Sequence, residues 1–214
     1  MRKRTMNTIA SKFTPSNLHA DTTNLLGLGL GEVTSRYECD EEPSRQIVFS
    51  DTIKELDLHY YHDIKWITLP KCLEKLYIHT IQGNTRNFDF PNSLKSLTIG
   101  SIEGDIKDLN LPNSLKSLSI IYPNGEFKNA NLPKSLKSLA LMHDFNQDIK
   151  NANFPDTLEY LTVGDQFDQD IKDANFPKSL KVLTVGSDFQ QNLTTHHCNF
   201  PEGLRIVKKL DYYN

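Results

Sequence analysis

Seven prolines, Pro70, Pro91, Pro112, Pro133, Pro155, Pro177 and Pro201, recur at intervals of 21, 21, 21, 22, 22 and 24 residues, and Ser50 fills the same slot 20 residues before the first. Each slot opens one phrase. Pro91-Asn92-Ser93-Leu94-Lys95-Ser96-Leu97-Thr98-Ile99 returns as Pro112-Asn113-Ser114-Leu115-Lys116-Ser117-Leu118-Ser119-Ile120, with looser copies elsewhere. Self-similarity at such a period leaves room for little except a solenoid of stacked units. Two helices of useful length do not fit into about 21 residues beside a fixed proline. The closing leucine-x-aliphatic pair alternates with the period of a strand. Gly100-Ser101, Gly164-Asp165 and Gly186-Ser187 follow as turn residues. The expected fold is therefore a right-handed, leucine-rich-repeat-like solenoid. It is mainly β with little helix, and has one short parallel strand per coil of about 21–22 residues and about eight coils.

The remainder of each coil repeats as well. A hydrophobe returns at Ile106, Phe127, Ile149, Ile171 and Leu193, a smaller one at Leu109, Ala130, Ala152 and Ala174, and another precedes every proline. Stacking turns these slots into ladders along one elongated core. Proline fixes φ and holds its predecessor extended, which suits a corner taken the same way in every coil. Asn110, Asn131, Asn153, Asn175 and Asn199 stand two residues before the proline. They are expected to form a buried asparagine ladder that satisfies backbone groups at the corner. One coil buries too few side chains to offset the entropy of ordering its backbone, so stability must come from neighbouring coils.

The phrase Phe176-Pro177-Lys178-Ser179-Leu180-Lys181-Val182-Leu183-Thr184-Val185, followed by Phe189 and Leu193, resembles the FNIP repeat, as does Phe145-Asn146-Gln147-Asp148-Ile149 with Phe154-Pro155. This family is known from amoebae and the large DNA viruses that infect them, and its pattern is related to leucine-rich repeats. The resemblance runs from about Phe49 to Val207. It implies a scaffold that binds proteins, often behind an F-box that recruits targets to a ubiquitin ligase.

The chain divides into an N-terminal segment, 1–46, and a solenoid, 47–214. Residues 1–46 have the length of an F-box but lack its leucine-proline opening and two amphipathic helical runs. Glu32–Glu38 supplies a candidate cap strand. At the other end Lys209 stands where other copies carry an aliphatic residue, a charge that blocks edge growth.

Composition narrows the function. A net charge of -3 opposes general nucleic-acid binding, and no apolar run reaches the roughly 18 residues of a membrane span. Three separated cysteines make no disulfide framework, which points to the cytoplasm, or the host cytoplasm if the chain is viral. No phosphate loop or nucleophile elbow is present, so no enzyme, cofactor or metal is expected. His59, His62 and His79 match no established ligand spacing. Asp165, Asp168 and Asp170 lack the rest of a calcium loop and read as turn-capping aspartates.

Two surface features remain. One row, Lys54, Glu74, Lys95, Lys116, Lys137, Glu159, Lys181 and Arg205, is basic at six of eight positions. It reads either as a solvated surface or as a stripe for an acidic partner, carried by Lys95, Lys116 and Lys137. The central strand row is small and uncharged except at Asp57 and Tyr77. Near them His59, Tyr60, Tyr61, Trp66 and His79 form the densest group of aromatics and histidines. These are either interface anchors or packing against a cap. The expected function is a non-enzymatic scaffold that binds a protein through its exposed sheet face. The alternatives are the substrate-recognition part of a ubiquitin-ligase adaptor, or a small-molecule or glycan-binding module.

Overall fold

The computed structural model describes residues 34–39, 47–60, 67–81, 88–191 and 200–209, with backbone alone at 34–39, 47, 59 and 60. Nine strands form one parallel sheet, in chain order from edge to edge: β1 (Thr34–Cys39), β3 (Glu55–Tyr60), β5 (Lys75–Ile81), β6 (Ser96–Ile102), β7 (Ser117–Tyr122), β8 (Ser138–Leu141), β9 (Tyr160–Val163), β10 (Val182–Val185) and β11 (Arg205–Lys208). A second, two-stranded parallel sheet joins β2 (Ile47–Val48) to β4 (Ile67–Thr68). Among the described residues there is no α-helix, only a 3-10 turn at Ile106–Asp108. The parallel solenoid is thus present, with fewer closed turns than expected: seven prolines delimit six intervals, hence about six full turns.

Why this sequence coils is visible at each corner. The proline carbonyl accepts the N–H of the leucine three residues on, from Leu73 to Pro70 through Leu204 to Pro201, and Ile53 does the same to Ser50. That closes a turn which reverses the chain into the next strand. The strands then pair in register, so Asp57, Tyr77, Thr98, Ser119, Ala140, Thr162 and Thr184 form one row. Alternation sends Leu76, Leu97, Leu118, Leu139, Leu161 and Leu183 inward, where each is buried.

Behind the sheet the core changes character along the stack. Ile106, Phe127, Ile149 and Ile171 are buried, as are Leu109, Ala130, Ala152 and Ala174. In the C-terminal half two aromatic ladders appear. Phe145, Phe167 and Phe189 stack with centroids 6.1 Å apart and planes within 5°. Phe154, Phe176 and Phe200 form the second ladder, with centroids 6.0 and 6.1 Å apart.

The asparagine ladder is not where the sequence pattern suggests. Asn110, Asn131, Asn153 and Asn175 are exposed, and Asn199 lies outside the described residues. The corner is served instead by the hydroxyl two residues after the proline. Ser93 Oγ lies 2.6 Å from the Leu73 carbonyl oxygen, Ser114 Oγ 2.7 Å from that of Leu94, and Ser135 Oγ 2.7 Å from that of Leu115. Thr157 and Ser179 continue the series onto Leu136 and Leu158. The physical reason is direction. A residue inside the turn points along the stack at carbonyls of the coil beneath, whereas the asparagine precedes the extended hydrophobe that packs inward before the proline, and alternation turns the asparagine outward.

Two further details differ from expectation. Gly100 lies within β6 rather than in a turn, and a side chain there would overlap the His79 carbonyl oxygen of the neighbouring coil. The last coil is one residue shorter between its leucine and its strand. β11 therefore pairs Arg205 with Val182 and Lys208 with Val185. Lys208, not Lys209, takes the aliphatic slot, and its Nζ donates to the Phe189 carbonyl 2.7 Å away.

Candidate interaction surface

The outward face of the sheet has a floor, a basic margin and an apolar margin. The floor is the row Thr98, Ser119, Ala140, Thr162 and Thr184, small side chains half-buried by their neighbours. Among the described residues the strands associate edge to edge, and no other element packs across this face.

The basic margin lies just before the strands. Backbone hydrogen bonds link Lys54, Glu74, Lys95, Lys116, Lys137, Glu159 and Lys181 in one row. Arg205 N–H also bonds the Lys181 carbonyl at 2.9 Å, but the shortened last coil sets Arg205 one position on, opposite Val182. The two glutamates organise the ends. Glu74 accepts from Lys95 at 2.7 Å and has Lys54 at 3.8 Å. Glu159 accepts from Lys181 at 2.6 Å and from Lys137 at 3.0 Å. These bonds, Lys95 foremost for Glu74 and Lys181 for Glu159, hold both carboxyls below their ordinary values. Lys181 is raised in turn by Glu159. Lys116, between Lys95 and Lys137, makes no ion pair among the described residues.

The apolar margin lies past the other end of the floor. Tyr122 is 45% exposed and stacks on His143 of the next coil, centroids 4.4 Å apart and planes 12° apart. Met142 is half-buried beside them, its Sδ 3.8 Å from Ser119 Oγ. His143 holds a left-handed backbone, φ 44°, which non-glycine residues seldom adopt. Sequence reading missed this group because Tyr122 and His143 are 21 residues apart. Their signal was available: each stands ten residues after its proline, Pro112 or Pro133.

Of the other candidate residues, Tyr77 and His79 are half-buried on β5, and His79 Nδ1 lies 3.1 Å from Thr80 Oγ1. His59 and Tyr60 are placed on β3 by backbone alone, and Tyr61, His62 and Trp66 lie outside the described residues. Among the described residues no group of three or more histidines, cysteines or acids is disposed to hold a metal, and Cys72 is a free, exposed thiol. No described helix is long and apolar enough to cross a membrane.

On the return side, charge is used locally. Lys107 bonds Asp105 at 2.7 Å and Lys150 approaches Asp170 at 3.3 Å. Asp168 accepts from the Gln190 N–H and the Gln191 amide, and Asp170 from the Lys172 N–H, which lowers both carboxyls. These aspartates tie turns and neighbouring coils together.

No curated protein matches the sequence. Among solved structures the chain is similar to CroV588, a circular leucine-rich-repeat protein from a giant virus, with 25% identity and a TM-score of 0.58. The match covers 81% of this chain and 29% of that one. The family described as FNIP Repeat matches residues 123–166 and 167–208, the part of the stack that carries both phenylalanine ladders. The proline phrase, the coil geometry and these matches make the chain a leucine-rich-repeat-like solenoid whose residues 123–208 match the FNIP repeat.

Proposed function

We propose that this solenoid is a non-enzymatic scaffold that binds another protein on the outward face of its sheet. The observation that carries the reading is the division of labour along the central coils. Inward side chains and corner hydroxyls are committed to stacking, while the floor row stays small and is covered by no described element between a basic and an apolar margin. A long row of small side chains in register offers contact area of the kind that repeat scaffolds use for protein partners. A repeat scaffold of this fold typically lacks a catalytic constellation, and the surface residues named above provide no nucleophile paired with a base.

The test compares two sets of variants by affinity capture and quantitative mass spectrometry from cells that express the protein. Ser119→Arg with Ala140→Arg obstructs the floor; Lys107→Ala with Lys150→Ala alters the return side. A discrete protein captured by the wild type and the return-side variant, and lost with the floor variant, is the expected result. Equal capture by both variants, or no specific protein with either, overturns the reading.

A further inference from the structure

Lys95, Lys116 and Lys137 occupy the same slot in three successive coils. Lys95 and Lys137 share the flanking glutamates, and Lys116 has no counter-charge among the described residues. Like charges held at the strand spacing, about 4.8 Å, repel one another, so the middle of the row favours an arriving anion. From Lys54 to Lys181 the row holds five lysines and two glutamates, a net of +3 on a chain whose net charge is -3. Resting on the interaction reading above, we infer that the partner presents an amphipathic acidic α-helix. It lies across the strands, carboxylates over the lysine row and apolar side chains against Met142 and Tyr122.

Pitch selects the helix. Three successive lysines span two strand intervals, about 9.6 Å. Two helical turns advance about 10.8 Å, so carboxylates at i, i+4 and i+7 fall within about 1 Å of the lysine spacing. The flexible lysine stem absorbs that difference. Same-face residues of an extended strand repeat every 6.7 Å or so, and three of them overshoot the row by about 4 Å. Width agrees as well. Lys116 and Tyr122 are separated by six residues, about 20 Å along a strand, so a helix about 10–12 Å across, seated over Ser119, leaves roughly 4–5 Å at each margin for the lysine and tyrosine side chains to bridge. The small side chains of Ser119 and Ala140 leave room for the helix, and Tyr122, nearly half exposed, meets its far flank.

The test uses a synthetic peptide of about 21 residues, alanine-based, with glutamates at i, i+4 and i+7 and a neighbouring leucine stripe, followed by fluorescence anisotropy. The helical peptide is expected to bind at least about tenfold tighter than a scrambled peptide of the same composition. Lys116→Glu is expected to weaken it about tenfold, and Lys107→Glu on the return side to leave it unchanged. Raising salt from about 50 to 300 mM should weaken it further. Equal binding of the scrambled peptide, no binding by folded wild type, or displacement by a single-stranded RNA overturns the inference. If the peptide fails while the floor variant still loses a captured protein, the scaffold reading stands and only the acidic helix falls.

Discussion

Phe145 and Phe167 lie ring over ring across a coil boundary, centroids 6.1 Å apart and planes 5° apart, and Phe189 extends the pair by one more coil at the same spacing. Phe167 therefore has an aromatic neighbour on each side and is fully buried. Phe167→Ala removes both contacts and leaves a cavity that stacked backbone cannot close. The expected cost is about 3–5 kcal/mol, against less for Phe189→Ala, whose described neighbour is on one side. Urea denaturation of the two variants checks the order. Equal costs would mean that the ladder does not act through both neighbours.

The corner hydroxyls give a second prediction. Ser135 Oγ serves the Leu115 carbonyl at 2.7 Å, while Asn131, the residue whose position in the phrase favoured a corner role, is exposed. Ser135→Ala should cost about 1 kcal/mol, because a carbonyl in the stack loses its partner. Asn131→Ala should stay within about 0.5 kcal/mol. The same denaturation assay decides between them, and a larger loss for Asn131 would restore the asparagine ladder.

The contrast shows what repetition reveals and what it conceals. A phrase repeated in register specifies which residues share a row, so the leucine rows, the lysine row and the floor row follow directly from spacing. It does not specify which way a corner side chain points, and asparagine and serine are both polar corner residues. The direction depends on the turn closed by the proline carbonyl, a backbone property. Nor does proline spacing register a residue lost after the proline, which is how Lys208 rather than Lys209 reaches the slot beside Val185. Glycine at 164 had the look of a turn signal. In the structure a side chain there would overlap the His143 carbonyl oxygen.

That overlap carries a third prediction. The neighbour at Gly164 is backbone of the adjacent coil, which cannot swing aside as a flexible side chain can. Gly164→Ala should cost about 1–3 kcal/mol by forcing the coils apart. Because His143 stacks on Tyr122, the same change should also alter tyrosine fluorescence. A stability unchanged by the substitution would contradict the close approach.

The pH dependence follows from Glu159, whose carboxyl lies below its ordinary value because it accepts hydrogen bonds from Lys181 and Lys137. The folded value is lower than the unfolded one, so its contribution is complete above the ordinary glutamate pKa of about 4.3 and fades as pH falls through the folded value. Stability should decline across that acid window in the wild type, and Glu159→Gln should flatten part of the decline while changing the neutral value only slightly. Added salt should shrink the difference between the two proteins. Parallel acid slopes would remove Glu159 as a contributor.

The outermost strand of the described sheet supplies the last prediction. β11 meets β10 on one side only, and Lys208 lies opposite Val185, where inner coils place an aliphatic side chain. Its ammonium reaches back to the Phe189 carbonyl. A lysine at this slot puts a charge in the path of any strand that would add to the edge, and such a strand would have to desolvate it. Lys208→Val removes the charge and continues the apolar row beside Val207, which is already 39% exposed. The variant should remain folded by circular dichroism yet associate with rising concentration in light scattering, by edge-to-edge growth of the parallel sheet. Lys71→Val, at an exposed corner away from that edge, should stay in the wild-type state. Association of both variants alike would point to surface hydrophobicity in general, and a wild-type profile for Lys208→Val would show that the charge does not guard the edge.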